Sequence, residues 1–421
     1  MIPGLLWRGS SAQNFFTDSS AHPPPTTGPY AYWPPHGTFG PGEAGELALG
    51  GTYVDPVFGG TIKRLSDDFP TNSVGGVLYA RNGWWNADGT YIVHKPGSGM
   101  VAIKVADATT KSLTDPGSPH RDDATCDPVD PDVFYYGSGN TIKKQLISTG
   151  AVSTLKDFGS AVGSHGGSLD WISNDGRYFL VKLAAGFRIW DKNTDTLYTG
   201  TITDAIGGGY CTMDGDARYV ILVNGTTKKR YAISHGTTTL TTTGTSFSTL
   251  ASDHADIINP SDGNIYMCRA IDDTNPIHFG TINIETGATN ALLSFGGSQY
   301  YHQPSHYSAI PRGPMKDWCL FETTVSTGGG DTEWNKDVFG AANPVSSWVA
   351  FRNEVCMVNV LTGECRRFAH HRSRECNPYS YQPRPSVNWD GTKVAWMSNY
   401  GYDDGANGDA YSDMYMIDVP Q

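Results

Sequence analysis

Apolar and polar positions alternate in short runs along this chain, and each run follows a turn rich in Asp, Gly or Pro. The clearest copies are Trp85-Asn-Ala-Asp-Gly-Thr-Tyr-Ile-Val-His94, Ile172-Ser-Asn-Asp-Gly-Arg-Tyr-Phe-Leu-Val181, Pro260-Ser-Asp-Gly-Asn-Ile-Tyr-Met-Cys268 and Asn388-Trp-Asp-Gly-Thr-Lys-Val-Ala-Trp396. Looser copies start at Asp127, Asp214 and Pro311. Period-two alternation bounded by such turns predicts strands, not helices. Anchors at Asp88, Pro131, Asp175, Asp214, Asp262, Gly313 and Asp390 set intervals of about 43, 44, 39, 48, 51 and 77 residues, a period that fits one four-stranded blade per copy. The prediction is an all-β, seven-bladed β-propeller.

A second hairpin lies between successive turns, as in Phe187–Tyr198, Gly280–Thr289 and Val355–Cys365. Its Thr-Gly or Asn-Thr-Asp turns complete each blade. Gly60–Leu65 is expected as the first strand and Asp413–Val419 as the last. These two should be neighbours, because an open seam exposes strand edges. Residues 1–50 carry Pro23-Pro-Pro25 and Pro34-Pro35 without periodicity. They are expected to form an extended arm against the propeller or a protein neighbour, with residues 51–421 as the propeller closed by its two chain ends. The long interval holds a Gly- and Asp-rich insertion, Thr323 to Ser346, expected on a functional face. The loop Tyr402–Asp409 offers oxygen atoms to calcium or is a polar turn.

Composition narrows the partners. The chain of 421 residues has 50 Gly, 25 Pro and a formal net charge of −12. An acidic balance argues against nucleic acid, whose phosphates need a basic face. No apolar run reaches membrane-spanning length. Met1–Ser20 lacks the basic start and apolar core of a secretory signal. Cys356 and Cys365, two of seven cysteines, flank the turn at Thr362-Gly363 and are expected to face each other, or to be buried thiols. The facing arrangement favours an oxidising, extracellular, cell-surface or periplasmic location.

Chemistry is sought where each inner strand begins, because those segments crowd the channel mouth. Arg81, His120, Arg121, His165, Tyr210, His254, His306, Tyr307, Tyr381, Gln382 and Arg384 lie there, with His370, His371 and Arg372 in the loop before blade seven. Five of the seven lead-ins carry histidine, out of 12 in the chain. Two readings follow. Histidines could ligate a transition metal such as zinc, manganese or iron. Alternatively, His165, His254, His306, Tyr381, Arg81 and Arg372 act on substrate, with His120, Arg121, Tyr210, Tyr307 and Arg384 binding it. Abstraction of a proton beside a carboxylate needs such a set, which points to β-elimination on a uronate-containing polysaccharide. The competing expectation is a non-catalytic propeller for glycan or protein binding, or a component of a surface or virion assembly, its histidines bonding neighbouring blades.

The run Gln382-Pro-Arg-Pro-Ser-Val-Asn-Trp-Asp-Gly-Thr-Lys-Val-Ala-Trp-Met-Ser-Asn399, closing in Asp413-Met-Tyr-Met-Ile-Asp418, resembles the repeat of TolB-like propellers. The histidine placement and His370-His-Arg-Ser373 also resemble oligogalacturonate lyases. That resemblance implies a manganese ion held by His and Gln side chains assisting an Arg or related base. It gives His306, His371 and Gln382 the ligand parts and Arg81 or Arg372 the base or clamp.

Overall fold

The structure is a computed structural model. It describes residues 15–23, 25, 47–68, 80–96, 99–118, 120–166, 170–206, 209–250, 254–271, 278–295, 303–324, 350–373, 382–398 and 412–419. Most of the blade-six insertion, residues 325–349, and all of the loop 402–409 lie outside that set.

Seven antiparallel sheets follow one another along the chain, as the recurrence predicts. Blade one contains Tyr91–His94, Met100–Lys104 and Thr110–Leu113, with Trp85 bridging Ile92 on the inner side. Blade two contains Thr125–Cys126, Val133–Ser138, Thr141–Leu146 and Val152–Asp157. Blade three contains Tyr178–Leu183, Gly186–Asp191 and Thr196–Leu197, with Ile172 bridging Phe179. Blade four runs from Tyr210–Met213 through Tyr219–Asn224 and Thr227–Ser234 to two short outer pieces. Blade five contains Asp256–Ile258, Tyr266–Ala270, His278–Asn283 and Thr289–Ser294; blade six contains Gln303–Ala309, Trp318–Thr324, Glu354–Asn359 and Cys365–His370.

Blade seven joins the two chain regions. Ser386–Val387, Lys393–Ser398 and Asp413–Asp418 pair onward with Thr61–Arg64 and then Thr52–Val54. At the seam Ile62 faces Ile417 and Arg64 faces Tyr415. Arg64 also clamps the fully buried Asp413, with Nη2 to Oδ2 at 2.6 Å. The strand Thr52–Val54 precedes the expected first strand and covers its outer edge.

The turns show why the recurrence is legible. Asn86 accepts the Tyr91 N–H at 2.8 Å, and Asn388 accepts the Lys393 N–H at 2.9 Å, so each side chain closes the loop around its own Asp-Gly pair. Gly391 sits at φ +80°, and a Cβ there would come within 2.7 Å of the Met315 side chain. Only glycine meets both demands. Large rings then fill the blade interfaces. Trp84, Trp85 and Trp396 are fully buried, and Trp389 Nε1 donates to the Trp85 carbonyl at 2.8 Å, tying blade seven to blade one.

One end of the channel is bridged by Arg312, on the blade-six turn. Its guanidinium donates to the carbonyls of Pro128, at 2.7 Å, and Ala87, on the turns of blades two and one. The opposite end is where the inner strands begin.

Of the two expectations for the cysteines, the buried thiols are what the structure shows, and the side chains of Cys356 and Cys365 are in contact across the hairpin. Cys365 pairs with Val358, and Cys356 pairs with Arg367, so the two thiols sit diagonally, not opposite. All six cysteines in the described residues are buried and free.

Candidate functional site

The inner-strand ends bring several lead-in residues together in two groups, one on each side of the channel. On the side of blades one to three, His165 anchors the first group. Its Nε2–H donates to the Leu180 carbonyl at 2.7 Å, and its ring stacks on Trp171 at 5.3 Å. The Asp123 carboxylate accepts the His165 backbone N–H at 3.1 Å, and its Oδ2 lies 3.8 Å from His165 Nδ1. Burial pushes the Asp123 carboxyl up, but the bond and charge of His165, with Ser164 and Arg81, hold it below the usual range.

Arg81 is fully buried beside this pair, 4.2 Å over the Trp84 ring, and donates to the Ala124 carbonyl. Burial pulls its pKa down while the charges of Asp170, Asp123 and Asp122 pull it back. Asp170 reaches the backbone N–H of Gly83 at 3.2 Å, where a Cβ would come within 2.4 Å of its carboxylate. His120 is half-buried nearby, its pKa lowered by burial. Arg121 is engaged elsewhere: its Nε donates to Asp115 Oδ1 at 2.7 Å and a second bond completes the fork.

The second group belongs to blades five to seven. His306 Nδ1 lies 2.8 Å from Glu322 Oε1, and the His306 backbone N–H donates to Glu322 Oε2 at 2.9 Å. Both residues are buried. A bulge between Pro304 and Tyr307 lets the strand present His306 to Glu322 by both side chain and backbone. His254 stacks on the His306 ring at 4.8 Å. Burial raises the Glu322 carboxyl to about 8, against the backbone N–H of His306 and the charges of His254 and Arg384. Burial, and then the charge of Arg384, push His306 well below its ordinary range. Arg384 itself is partly buried, in the left-handed region at φ +42° between two prolines, a conformation that costs energy.

Asp256 stands between the groups. Its Oδ2 accepts the Ala309 N–H at 2.6 Å. Burial raises its carboxyl well above the usual range, with the negative charge of Asp170 adding to the rise. A cavity of ≈ 30 Å³ starts at Asp170, Thr212 and Asp256 and runs along the inner strands to Asn174, Asn259 and Pro311, room for about one or two waters.

Four other expected residues, His371, Arg372, Tyr307 and Tyr210, are engaged in the core or with their own neighbours. His371 has both ring nitrogens committed: Nε2–H donates to the Thr323 carbonyl at 3.1 Å, and Nδ1 accepts the Ser373 N–H at 3.0 Å. Burial takes its pKa down to about 3. It therefore has no lone pair for a metal in this arrangement, and the set His306, His371 and Gln382 does not fit one. Among the described residues no group of three or more His, Cys, Asp or Glu has metal-holding geometry. Arg372 is buried beside Asp55 and opposes the rise that burial imposes on that carboxyl. Tyr307 faces the core against Phe279 at 5.7 Å, because it alternates with His306 along one strand. Tyr210 is buried in the core between blades four and five. Gln382 is partly buried, and Tyr381 lies outside the described residues.

Sequence reasoning missed Glu322, Asp170 and Asp256. Glu322 carried a signal: it is the one charged residue in the otherwise apolar and hydroxylic strand Trp318–Thr324. A buried charge in such a strand needs a partner.

No protein-family profile matches the chain, and no curated protein matches it. Solved structures do. An oligogalacturonate lyase in complex with manganese is 13% identical, with a TM-score of 0.53 over 88% of this chain and 96% of that one. An oligogalacturonate lyase from Vibrio parahaemolyticus is 12% identical, with a TM-score of 0.51 over the same shares. TolB from Acinetobacter baumannii is 14% identical, with a TM-score of 0.33 over 72% of this chain and 64% of that one. At these identities the likeness is one of architecture: this chain folds as an oligogalacturonate-lyase-like seven-bladed β-propeller.

Proposed function

We propose that the blade five-to-seven side of the channel mouth binds an acidic glycan and that His306, held by Glu322, moves the proton in a β-elimination. The observation that carries this reading is the buried His306–Glu322 pair, 2.8 Å apart, with His254 stacked on it and the charge of Arg384 acting on both. An ionised carboxylate on Nδ1 fixes the histidine tautomer that leaves the lone pair on Nε2. Arg384 offers the cation that a uronate carboxylate and its developing enolate need.

The pair has two protonation states. With Glu322 protonated, its O–H donates to Nδ1 and His306 presents Nε2–H, a donor. With Glu322 ionised, Nδ1–H donates to it and Nε2 carries the lone pair of a base. In the second state Nε2 takes the proton from C5 of the uronate. The C–H electrons form the C4–C5 double bond, the C4–O bond breaks, and the leaving oxygen receives a proton, for which His254 is the candidate acid. No step is assigned to a metal, because His371, one of the residues expected to hold one, has both ring nitrogens in hydrogen bonds. An acidic polysaccharide substrate would place the protein outside the cell or at its surface.

The test is the ultraviolet absorbance of an unsaturated uronate product on pectate, ulvan, alginate and glycosaminoglycans, with and without chelator. A rising trace that His306→Ala removes supports the lyase. A flat trace with every substrate sinks it. A second reading, a binding or assembly propeller without catalysis, is favoured by the backbone bonds that engage His165 and His371. Glycan binding measured by calorimetry without any product would select it.

A further inference from the structure

Residues 15–23 lie along the outer edge of blade six. Phe16 and Arg367 exchange two backbone hydrogen bonds, at 3.1 and 3.0 Å, a single antiparallel bridge onto Cys365–His370. That strand is otherwise the free edge of its sheet, the kind of edge that recruits another chain. The acceptor is a built device. Glu354 fixes the Arg367 guanidinium through Nε and Nη2, both at 2.7 Å, and both side chains are fully buried. The remaining Nη1 donates to the carbonyls of Asp18 and Ser20, at 2.9 and 2.8 Å. It holds the bend that the segment makes between Asp18 and Ser20. Aromatic contacts set the register: Phe16 stacks on His22 at 3.6 Å and meets Phe58 edge-on at 5.4 Å, while Phe15 meets Phe368 at 6.2 Å.

We propose that this edge is a strand-acceptor site that takes residues 15–23 of a second copy of this chain as well as its own. The segment makes its contacts within one local groove. Residues 26–46 connect it onward to Leu47, which packs on the same core cluster as Phe15. A connection of that length reaches about 70 Å when extended, so the same strand can be delivered from another molecule. Such an exchange keeps every contact and closes a symmetric dimer.

The test uses full-length chains and a fluorescent peptide of residues 13–25. The variant Phe15→Ala/Phe16→Ala disables the arm and leaves the acceptor intact; circular dichroism checks that it folds. It should bind the peptide at least about tenfold more tightly than the unmodified chain, whose own arm competes at high local concentration. The peptide carrying Phe16→Ala should bind neither. The unmodified chain at high concentration should give a species of twice the monomer mass by light scattering, because reciprocal exchange keeps every contact, and the arm-disabled chain under the same conditions should not. A folded arm-disabled chain that ignores the peptide overturns the acceptor site. Peptide binding without the double-mass species overturns delivery by a second copy.

Discussion

The two sides of the channel mouth hold the same pair of residue types and treat them differently. On one side His165 meets Asp123, and on the other His306 meets Glu322. Each carboxylate accepts its histidine's backbone N–H, but His165 gives its Nε2–H to the Leu180 carbonyl, lies flat on Trp171 and keeps its Nδ1 3.8 Å from Asp123, where His306 Nδ1 is 2.8 Å from Glu322. The Asp123 carboxyl is held below the usual range, as a structural ion is. Glu322 is fully buried and raised to about 8, so its proton is available near neutral pH. A histidine at a given repeat position is thus a brace or a reagent according to its partner. A perturbed carboxyl beside a histidine is the better pointer to chemistry.

The largest expected effect separates the two. His306→Ala should lower turnover on a uronate polysaccharide by about 10³-fold, within the range for losing a proton-transfer group. His165→Ala should cost about 1–3 kcal/mol of stability, by freeing the Leu180 carbonyl and the face of Trp171. It should keep turnover within about tenfold, since it touches no reacting atom. Kinetics and thermal melting on both proteins check the split, and equal losses of turnover would erase the distinction.

Glu322→Gln sharpens it through pH. The ordinary glutamate value is 4.5, and the folded value is about 8. The folded state therefore holds a proton that the unfolded state releases, and stability falls as pH rises from 4.5 to 8. The glutamine variant should lose that slope in chemical denaturation. Turnover in the unmodified protein should rise through about pH 8 as Nε2 becomes a base. In the variant, at pH 9, it should be about 10²-fold lower with no such rise. Arg384→Gln is expected to act more weakly. Removing its charge moves the Glu322 ionisation to higher pH and raises KM about tenfold by loss of a carboxylate contact; a pH series of kcat and KM measures both.

How much of this the chain discloses depends on how local each feature is. Blades are legible because Asn86 and Asn388 bond residues only a few positions away, and because Gly391 meets a local backbone demand. The channel-mouth positions of His165, His254 and His306 follow from the same register. Their roles do not, because Glu322 comes from the next strand and Asp123 from the lead-in of the neighbouring blade two. Tyr307 was expected at the substrate and faces the core, since the bulge at Pro304 hides which parity points inward. His371 and Arg372 adjoin blade seven in sequence, yet their partners are far away along the chain: Thr323 on the second strand of blade six and Asp55 on the turn between the first two strands of the chain. Nothing near them in the chain announces those contacts.

The smallest expected effect tests whether the comparison belongs to the mouth at all. Arg312 sits at the opposite end of the channel and ties the blade-six turn to the carbonyls of Pro128 and Ala87. Burial lowers its pKa, with Asp390 opposing, but it stays charged at every working pH. Arg312→Ala frees two carbonyls on a face that water can reach, so the loss should be about 1 kcal/mol and a melting shift of no more than about 4 °C. Turnover and its pH profile should not change, because Arg312 lies at the other end of the channel from the His306–Glu322 pair and distant sites add independently. If Arg312→Ala instead moved the rise near pH 8, the channel would couple its two ends. Glu322 would then owe its raised value to the state of the whole axis, and the contrast with Asp123 would no longer be a local one.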